Sequence, residues 1–197
     1  RVSDETLWIA RIVAVALENA QRYQRTKELS AKDELTGLAN RRAFFEALEA
    51  EDQRARRYRR SFTILMLDLD AFKHYNDTHG HLVGDQALRT VGRLLLGSTR
   101  RADVVARFGG EEFVILLPET GKPAGAVVAE KIRAAVAQHP VPGGESQPGG
   151  RLTITGGVAA YPGDAASGLE VVDAADRALY RGKQQGGNRV VQAAEGE

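Results

Sequence analysis

Val104-Val105-Ala106-Arg107-Phe108-Gly109-Gly110-Glu111-Glu112-Phe113-Val114-Ile115-Leu116-Leu117 decides how the rest of the chain is read. Two short apolar runs flank a Gly-Gly pair, the pattern of two strands joined in a hairpin. Two carboxylates, Glu111 and Glu112, follow the glycines at once and fall at the hairpin tip. Glycine lets backbone come close to a ligand, and adjacent acid oxygens suit a hard cation. Such a tip brings N–H groups and metal-binding oxygens near a polyphosphate. Taken alone, the same stretch is also an ordinary solvated hairpin, and the surrounding sequence separates the two readings.

Working outward, Phe62 to Leu69 is short and almost continuously apolar, which fits a buried central strand, and the stretch closes on Asp68-Leu69-Asp70. Helical patterns cover Arg41 to Arg60 (with Asn40 as N-cap), Gly84 to about Gly97, Pro123 to Gln138 and Leu169 to Gln185. Leu152 to Tyr161 reads as a strand and Val190-Val191 as a short one, while Pro140 to Arg151 is a Gly/Pro-rich loop. The order is strand, helix, strand, strand, helix, strand, with additions. This predicts an α+β ferredoxin-like palm, a βαββαβ core with a central, mainly antiparallel sheet flanked by helices.

Thr6 to Leu29 lacks Gly and Pro and carries apolar residues at helical spacing, which predicts a long N-terminal helix. Either it packs on its own domain, or it pairs in parallel with a partner chain, with Asn19 setting the register. The expected plan is a signalling or linker helix over 1–29, a catalytic domain over 30–192 and a tail over 193–197. The chain begins inside the helical pattern, so a longer parent protein is expected.

The 197 residues are 43% hydrophobic and 27% charged, enough for a real core. A net charge of +1 creates no field that calls for nucleic acid or an anionic membrane, so an anionic ligand must be met by local charges. The basic run Arg54 to Arg60 is read as a solvated helix face. The absence of cysteine excludes disulfides, thiolate metal sites and cysteine nucleophiles, and fits a reducing cytoplasm. No apolar run is long enough to span a bilayer, so no membrane contact is expected in this fragment.

Asp68 closes an apolar strand, where an acid is costly to bury without a positive partner. A hairpin tip beside that strand end would gather Asp68, Glu111 and Glu112 into an all-oxygen site. Mg2+ prefers such ligands and keeps water and substrate phosphates in its shell. Two such ions would bracket a phosphoryl transfer. Lys73, next to Phe72, would neutralise phosphate charge. Asn76 and Asp85 flank a turn rich in Gly and His, and an amide with a carboxylate can read the hydrogen-bonding edge of guanine. Adenine lacks those donors and would leave the site's own groups unpaired. His79 and His81 have no third ligand in sight and are given a structural role.

Together these blocks resemble the GGDEF family of bacterial diguanylate cyclases. Asp33-Glu34-Leu35-Thr36-Gly37-Leu38-Ala39-Asn40-Arg41-Arg42 is similar to the family's opening DxLTGLxNRR, and Asp68-Leu69-Asp70-Ala71-Phe72-Lys73 to its DxDxFK. Asn76-Asp77, Gly80-His81 and Gly84-Asp85 are similar to its ND…GHxxGD, and Gly109 to Phe113 is the naming motif with Glu in third place. The resemblance runs from about Asp33 to Val191. It implies that two GTP condense to cyclic di-GMP and two pyrophosphates, each 3′-hydroxyl attacking the other nucleotide's α-phosphate. It further implies that Asp68 and Glu111 hold Mg2+, two ions per site, helped by the Leu69 carbonyl and Glu112, with Mn2+ able to substitute.

By the same resemblance Glu111 also helps deprotonate the 3′-hydroxyl, and Asn76 and Asp85 read guanine. Lys73, Phe72 and Lys183 attend the phosphate tail, which the Gly109-Gly110 backbone lets approach. An acid at Asp85 favours GTP alone over mixed dinucleotides. Arg100 and Asp103 match an inhibitory RxxD site for the product, to which Lys131 is added. At Gly187 many members carry a basic residue, so one triphosphate contact is expected to be lost here. A two-fold symmetric product made by sites holding one GTP each requires a homodimer. The rival reading is a silent module that binds GTP or cyclic di-GMP. Degenerate members of that kind lose acids of the naming motif, and this chain keeps them.

Overall fold

The computed structural model describes residues 31–194 together with Val13 and Ala14, both helical and exposed. The rest of the N-terminal helix expected over 6–29, and the end of the tail, lie outside the described residues. The chain divides into two compact units, residues 1–31 and 32–197, and the second is the palm described below.

Its elements are α1 (Arg41–Tyr58), β1 (Phe62–Leu69), α2 (Phe72–His79), α3 (His81–Ser98), β2 (Val104–Arg107), β3 (Glu112–Pro118), α4 (Lys122–Gln138), β4 (Ile154–Tyr161), α5 (Gly168–Gln184) and β5 (Val190–Gln192). The five strands lie in the order β2-β3-β1-β4-β5. Strand β1 runs antiparallel to β3 and β4, and only β5 is parallel to its neighbour. This is the α+β ferredoxin-like plan with one strand added at the edge.

Strand period explains the two cores. Leu65, Leu67 and Leu69 turn to one face, where Phe113, Ile115, Tyr75, Val91 and Ile132 meet them. Ile64 and Met66 turn to the other, against Phe44 and Leu48 of α1 and Val171 and Ala175 of α5. With both faces covered, β1 has no solvent side to mark with polar residues, hence its near-continuous apolar run. Asn40 caps α1 as expected, its side chain accepting from the Ala43 N–H at 2.9 Å.

One expectation fails. The stretch Asn76 to Asp85, expected as a turn rich in Gly and His, is almost wholly helical and is interrupted only at Gly80, the junction of α2 and α3. Gly80 alone has the left-handed φ of 81° that interrupts the helix. Gly84 looks like a turn residue in sequence, yet it sits inside α3 for a packing reason: a Cβ there would lie 1.8 Å from Asn76 Oδ1.

The Gly/Pro-rich loop after α4 is also less free than its composition suggests. It contains a 3₁₀ turn over Gly144–Ser146. The Tyr75 hydroxyl donates to the Pro142 carbonyl, and His79 Nε2 lies 2.7 Å from Ser146 Oγ. His79 thus has the structural role expected of it.

Helix α5 approaches β4 at backbone distance. A Cβ on Gly157 would lie 2.0 Å from the Ala175 carbonyl oxygen and 2.4 Å from the Leu179 nitrogen. Backbone cannot swing aside as a side chain can. Gly157→Ala is therefore expected to cost about 3 kcal/mol in urea unfolding, whereas Gly163→Ala, at a site open to solvent, should stay within about 0.5 kcal/mol.

Candidate active site

The antiparallel register sets Asp68, near the end of β1, opposite Glu112, the first residue of β3. Glu111 precedes it, its carbonyl accepting from the Leu69 N–H at 3.3 Å. The three acids therefore stand on adjoining strand ends, as the hairpin reading anticipates. They do not form a ready cage: among the described residues no three His, Asp or Glu side chains surround one point as metal ligands. Two contacts explain this. Lys183, from the last turn of α5, reaches across and pairs with the Asp68 carboxylate. The Glu112 carboxylate folds over Gly109, where a Cβ would lie 2.5 Å from Glu112 Oε2.

Lys183 is held from three sides. Besides Asp68, its ammonium donates to Asp70 Oδ1 at 2.9 Å and to the Leu69 carbonyl at 3.0 Å. Asp70, given no role above, is the hub of this corner. Its carboxylate also accepts from the Thr153 hydroxyl at 2.8 Å, the Thr155 hydroxyl at 2.7 Å and the Asn188 N–H at 2.8 Å. Burial alone would push the Asp70 carboxyl up, but these hydrogen bonds and the lysine charge outweigh it and hold it below its ordinary value.

The hairpin tip is braced from outside. Arg107 donates from Nε and a terminal nitrogen to the Gly110 carbonyl at 3.1 and 2.8 Å. Its other nitrogen meets Asp33 at 3.3 Å, and Asp33 accepts from both the N–H and hydroxyl of Thr36. Arg41 lies over the Phe108 ring at 4.5 Å. In the sequence, the only signal for these roles of Asp33 and Arg107 is an acid and a threonine three apart and an arginine before the glycines.

Asn76 lies in the last turn of α2 and Asp85 in α3 just past its first turn, both half-buried. Asn76 Oδ1 is buried with no hydrogen-bond partner among the described residues. Lys73 is exposed. The Phe72 side chain is not available as a ligand contact: it is 3% exposed and stacks on Tyr75 with centroids 5.8 Å apart. Only its backbone N–H, in the first helical turn where intrahelical partners are lacking, remains for a substrate.

A family model described as "Diguanylate cyclase, GGDEF domain" matches residues 30–189. The chain belongs to the GGDEF family. It is 44% identical over 168 residues to the diguanylate cyclase DgcP of Pseudomonas aeruginosa, covering 85% of this chain and 24% of that protein. It spans about a quarter to a half of the length of such curated relatives. Among solved structures it is similar to the GGDEF domain of DgcB from Caulobacter crescentus in complex with c-di-GMP, with TM-score 0.75 and 34% identity, covering 83% of this chain and 96% of that one. It is also similar to the active GGEEF domain of a diguanylate cyclase from Vibrio cholerae, with TM-score 0.74 and 30% identity, covering 80% and 99%.

In this GGDEF domain Arg100 and Asp103 close a turn before β2: the Arg100 N–H donates to Asp103 Oδ2 at 2.7 Å and the Asp103 N–H returns to the Arg100 carbonyl at 3.0 Å. Lys131, on α4, donates to the carbonyl of Ser98, which lies just before Arg100 in the chain, at 3.3 Å. Gly187 has a left-handed φ of 73°, and a Cβ there would lie 2.8 Å from Asp70 Oδ1. A larger residue at that position is opposed by conformation and by contact together. Arg189 bonds the Gly187 carbonyl and Gln185 beside it.

Burial pushes the Glu111 and Glu112 carboxyls above their ordinary values, and the charge of Asp68 pushes both further. Asp68 is raised as well, burial and its neighbouring acids outweighing Lys183. A carboxyl raised in the folded state holds its proton more tightly there than when unfolded. Such a group costs stability as pH climbs through its raised value. Glu111→Gln removes one member of the cluster. It is expected to raise the thermal midpoint at neutral pH by only about 2 °C, Glu111 being partly buried, with the gain shrinking as pH falls through the carboxylate range. Calorimetry across that range checks both the sign and the trend.

Proposed function

We propose that this domain is a diguanylate cyclase that condenses two GTP to cyclic di-GMP and two pyrophosphates, working as a homodimer in the bacterial cytoplasm. One observation carries the reading: the register that sets Asp68 against Glu112, with Glu111 at a glycine-lined tip, in a chain of this family. Relatives named diguanylate cyclase and the active GGEEF domain of similar fold support it. No helix among the described residues is long and apolar enough to cross a membrane.

The residues present fit a divalent cation. Their donors are oxygens only, and burial first, then neighbouring negative charge, raises these carboxyls, a cost that a cation would offset. Asp68, Glu111 and the Leu69 carbonyl would hold Mg2+ or Mn2+, with Glu112 helping. When bound, the cation polarises the α-phosphate and lowers the pKa of the attacking hydroxyl.

The rest is done by the chain. Glu111, its carboxyl raised by burial and by the charge of Asp68, is suited to take the 3′-hydroxyl proton. Asn76 Oδ1, buried and unpaired, accepts a guanine donor, and the Asp85 carboxylate accepts from N1–H and the 2-amino group. Adenine offers neither, so GTP is preferred over ATP. Lys73 and the first-turn N–H groups of α2, including that of Phe72, meet the phosphates beside the Gly109-Gly110 backbone. Lys183 keeps Asp70 as its partner and turns from Asp68 to phosphate oxygens. Two copies facing each other align the two nucleotides antiparallel, which supplies the proximity that one site lacks. Arg100, Asp103 and Lys131 bind the product as an inhibitor, the guanidinium to phosphate and the acid to guanine N–H groups. The DgcB structure in complex with c-di-GMP makes this ligand a natural one to test.

Incubation with GTP and Mg2+, with products separated by chromatography, tests the reading. Cyclic di-GMP is expected from GTP and nothing from ATP, with the rate falling by at least about 100-fold in Glu111→Ala. Tight GTP binding without turnover would make the domain a binding module instead. Arg100→Ala is expected to raise the final product level while leaving the initial rate alone. Equal inhibition of wild type and variant by added cyclic di-GMP would remove that assignment.

A further inference from the structure

Helix α2 is eight residues long and carries three groups that the reading above assigns to the nucleotide: the Phe72 N–H, Lys73 and Asn76. Its ends are weakly fixed. Ala71 precedes it with a left-handed φ of 51° and no side-chain cap, and Gly80 ends it. So short a helix owes its stability and its orientation to what its side chains hold.

Two stripes run along it. Phe72, Tyr75 and His79 stand three and four apart and form a column of rings, with centroids 5.8 Å apart for Phe72 and Tyr75 and 5.1 Å for Tyr75 and His79. Lys73 and Asn76 each follow a residue of that column, about 100° further round the helix. Any rotation of the column therefore carries Lys73 and Asn76 with it.

The column is pinned at two points, both in the loop after α4. The Tyr75 hydroxyl donates to the Pro142 carbonyl, and His79 Nε2 lies 2.7 Å from Ser146 Oγ. The Ser146 hydroxyl donates to the Gly143 carbonyl at 2.9 Å, so its oxygen accepts from His79 and the imidazole donates from Nε2. The ring lies against the loop backbone: a Cβ on Gly143 would come within 2.7 Å of His79 Nε2. Among the described residues, these are the only side-chain hydrogen bonds that join α2 to another part of the chain.

The loop is a fixed support. Val141 and Leu152 bury its two ends in the core. Its remaining hydrogen bonds among the described residues are internal, such as Gly144 N–H to the Val141 carbonyl and Gly150 N–H to the Gln147 carbonyl. The buried Gln147 amide has no partner among the described residues, so the loop's polar hold on the domain passes through Tyr75 and His79 alone.

We propose that His79 and Ser146 are positioning residues for the nucleotide: their hydrogen bond holds the last turn of α2 so that Asn76 and Lys73 meet guanine and phosphate. They act through those two side chains. Ser146 lies outside every motif quoted above, 67 positions from His79. The proposal rests on the nucleotide reading above for its ligand, but its first readout does not require turnover.

Calorimetric titration with GMP, which needs the guanine site but no chemistry, is applied to the intact protein and to Ser146→Ala, His79→Phe and His79→Gln. His79→Phe keeps a ring on Tyr75 and loses the donor, whereas a glutamine amide can reach where Nε2 stood. Ser146→Ala and His79→Phe are each expected to weaken GMP about fivefold and to raise KM for GTP as much, with kcat within about twofold. His79→Gln is expected to recover most of the loss. The double variant should be no weaker than either single change, because both remove the same bond. Ser146→Ala, a small truncation at a half-buried loop residue, keeps the test decisive if a His79 variant does not fold. A lowered thermal midpoint with GMP affinity unchanged makes the contact structural only and overturns the proposal. GMP affinity that depends on Ser146 in a protein that does not turn over GTP upholds the positioning role and sinks the cyclase reading. GTP turnover with GMP affinity and KM unchanged in Ser146→Ala overturns the positioning role and leaves the cyclase reading standing. Failure of the intact protein to bind GMP overturns the positioning role as well.

Discussion

The ammonium of Lys183 lies between two carboxylates and a carbonyl at the end of the central strand, and the functional corner depends on it. Asp68 and Asp70 could not both stay ionised and half-buried without a positive charge between them. The lysine reaches them because α5 lies almost on the backbone of β4, an approach that Gly157 and Gly182 make possible. Small residues in the sheet thus set a helix close enough for its last turn to neutralise acids two strand ends away. Asp70 spreads the effect, tying β4 and the turn after α5 to the same corner through Thr153, Thr155 and Asn188.

The hairpin tip has its own support. Arg107 joins the Gly110 carbonyl to the Asp33–Thr36 turn, so the first motif of the domain holds the backbone of the one that carries the acids. Asp33 is well suited to this: burial would raise it, yet the Thr36 hydrogen bonds and the Arg107 charge keep it below its ordinary value. Glu111 and Glu112 are the opposite case, raised by burial and by Asp68. The domain holds structural acids in their charged form and crowds its catalytic candidates so that they are uncomfortable without a cation. Two apolar cores, one on each face of the sheet, supply the stability that this crowding costs.

Much of the framework was legible along the chain. The apolar run of β1, the Gly-Gly hairpin and the Asn40 cap of α1 are local signals, and the order of the elements along the chain points to the palm. Local signals also misled. Gly80, His81 and Gly84 read as one turn because glycine marks both bends and close contacts, and only packing tells Gly84 from Gly80. Phe72 was grouped with Lys73 as a substrate residue, although an aromatic beside a ligand motif is as often core. The acids were expected to form a cage. Whether Asp68 faces a cation or an ammonium depends on Lys183, more than a hundred positions away.

What the amino-acid order determined by itself was the set of elements and the acids at their ends, because hydrophobic period and turn signals are read from residues close in sequence. Which of those acids is already satisfied was decided by the tertiary structure alone. Asp68 and Asp70 stand two apart in the same motif and look equivalent. One is enclosed by threonine hydroxyls and a turn N–H brought from β4 and the end of α5, and the other is left facing the hairpin acids. That difference arises from long-range packing of backbone on backbone, which no local pattern encodes. In the loop after α4, the buried Gln147 amide has no hydrogen-bond partner among the described residues, which composition alone does not foretell.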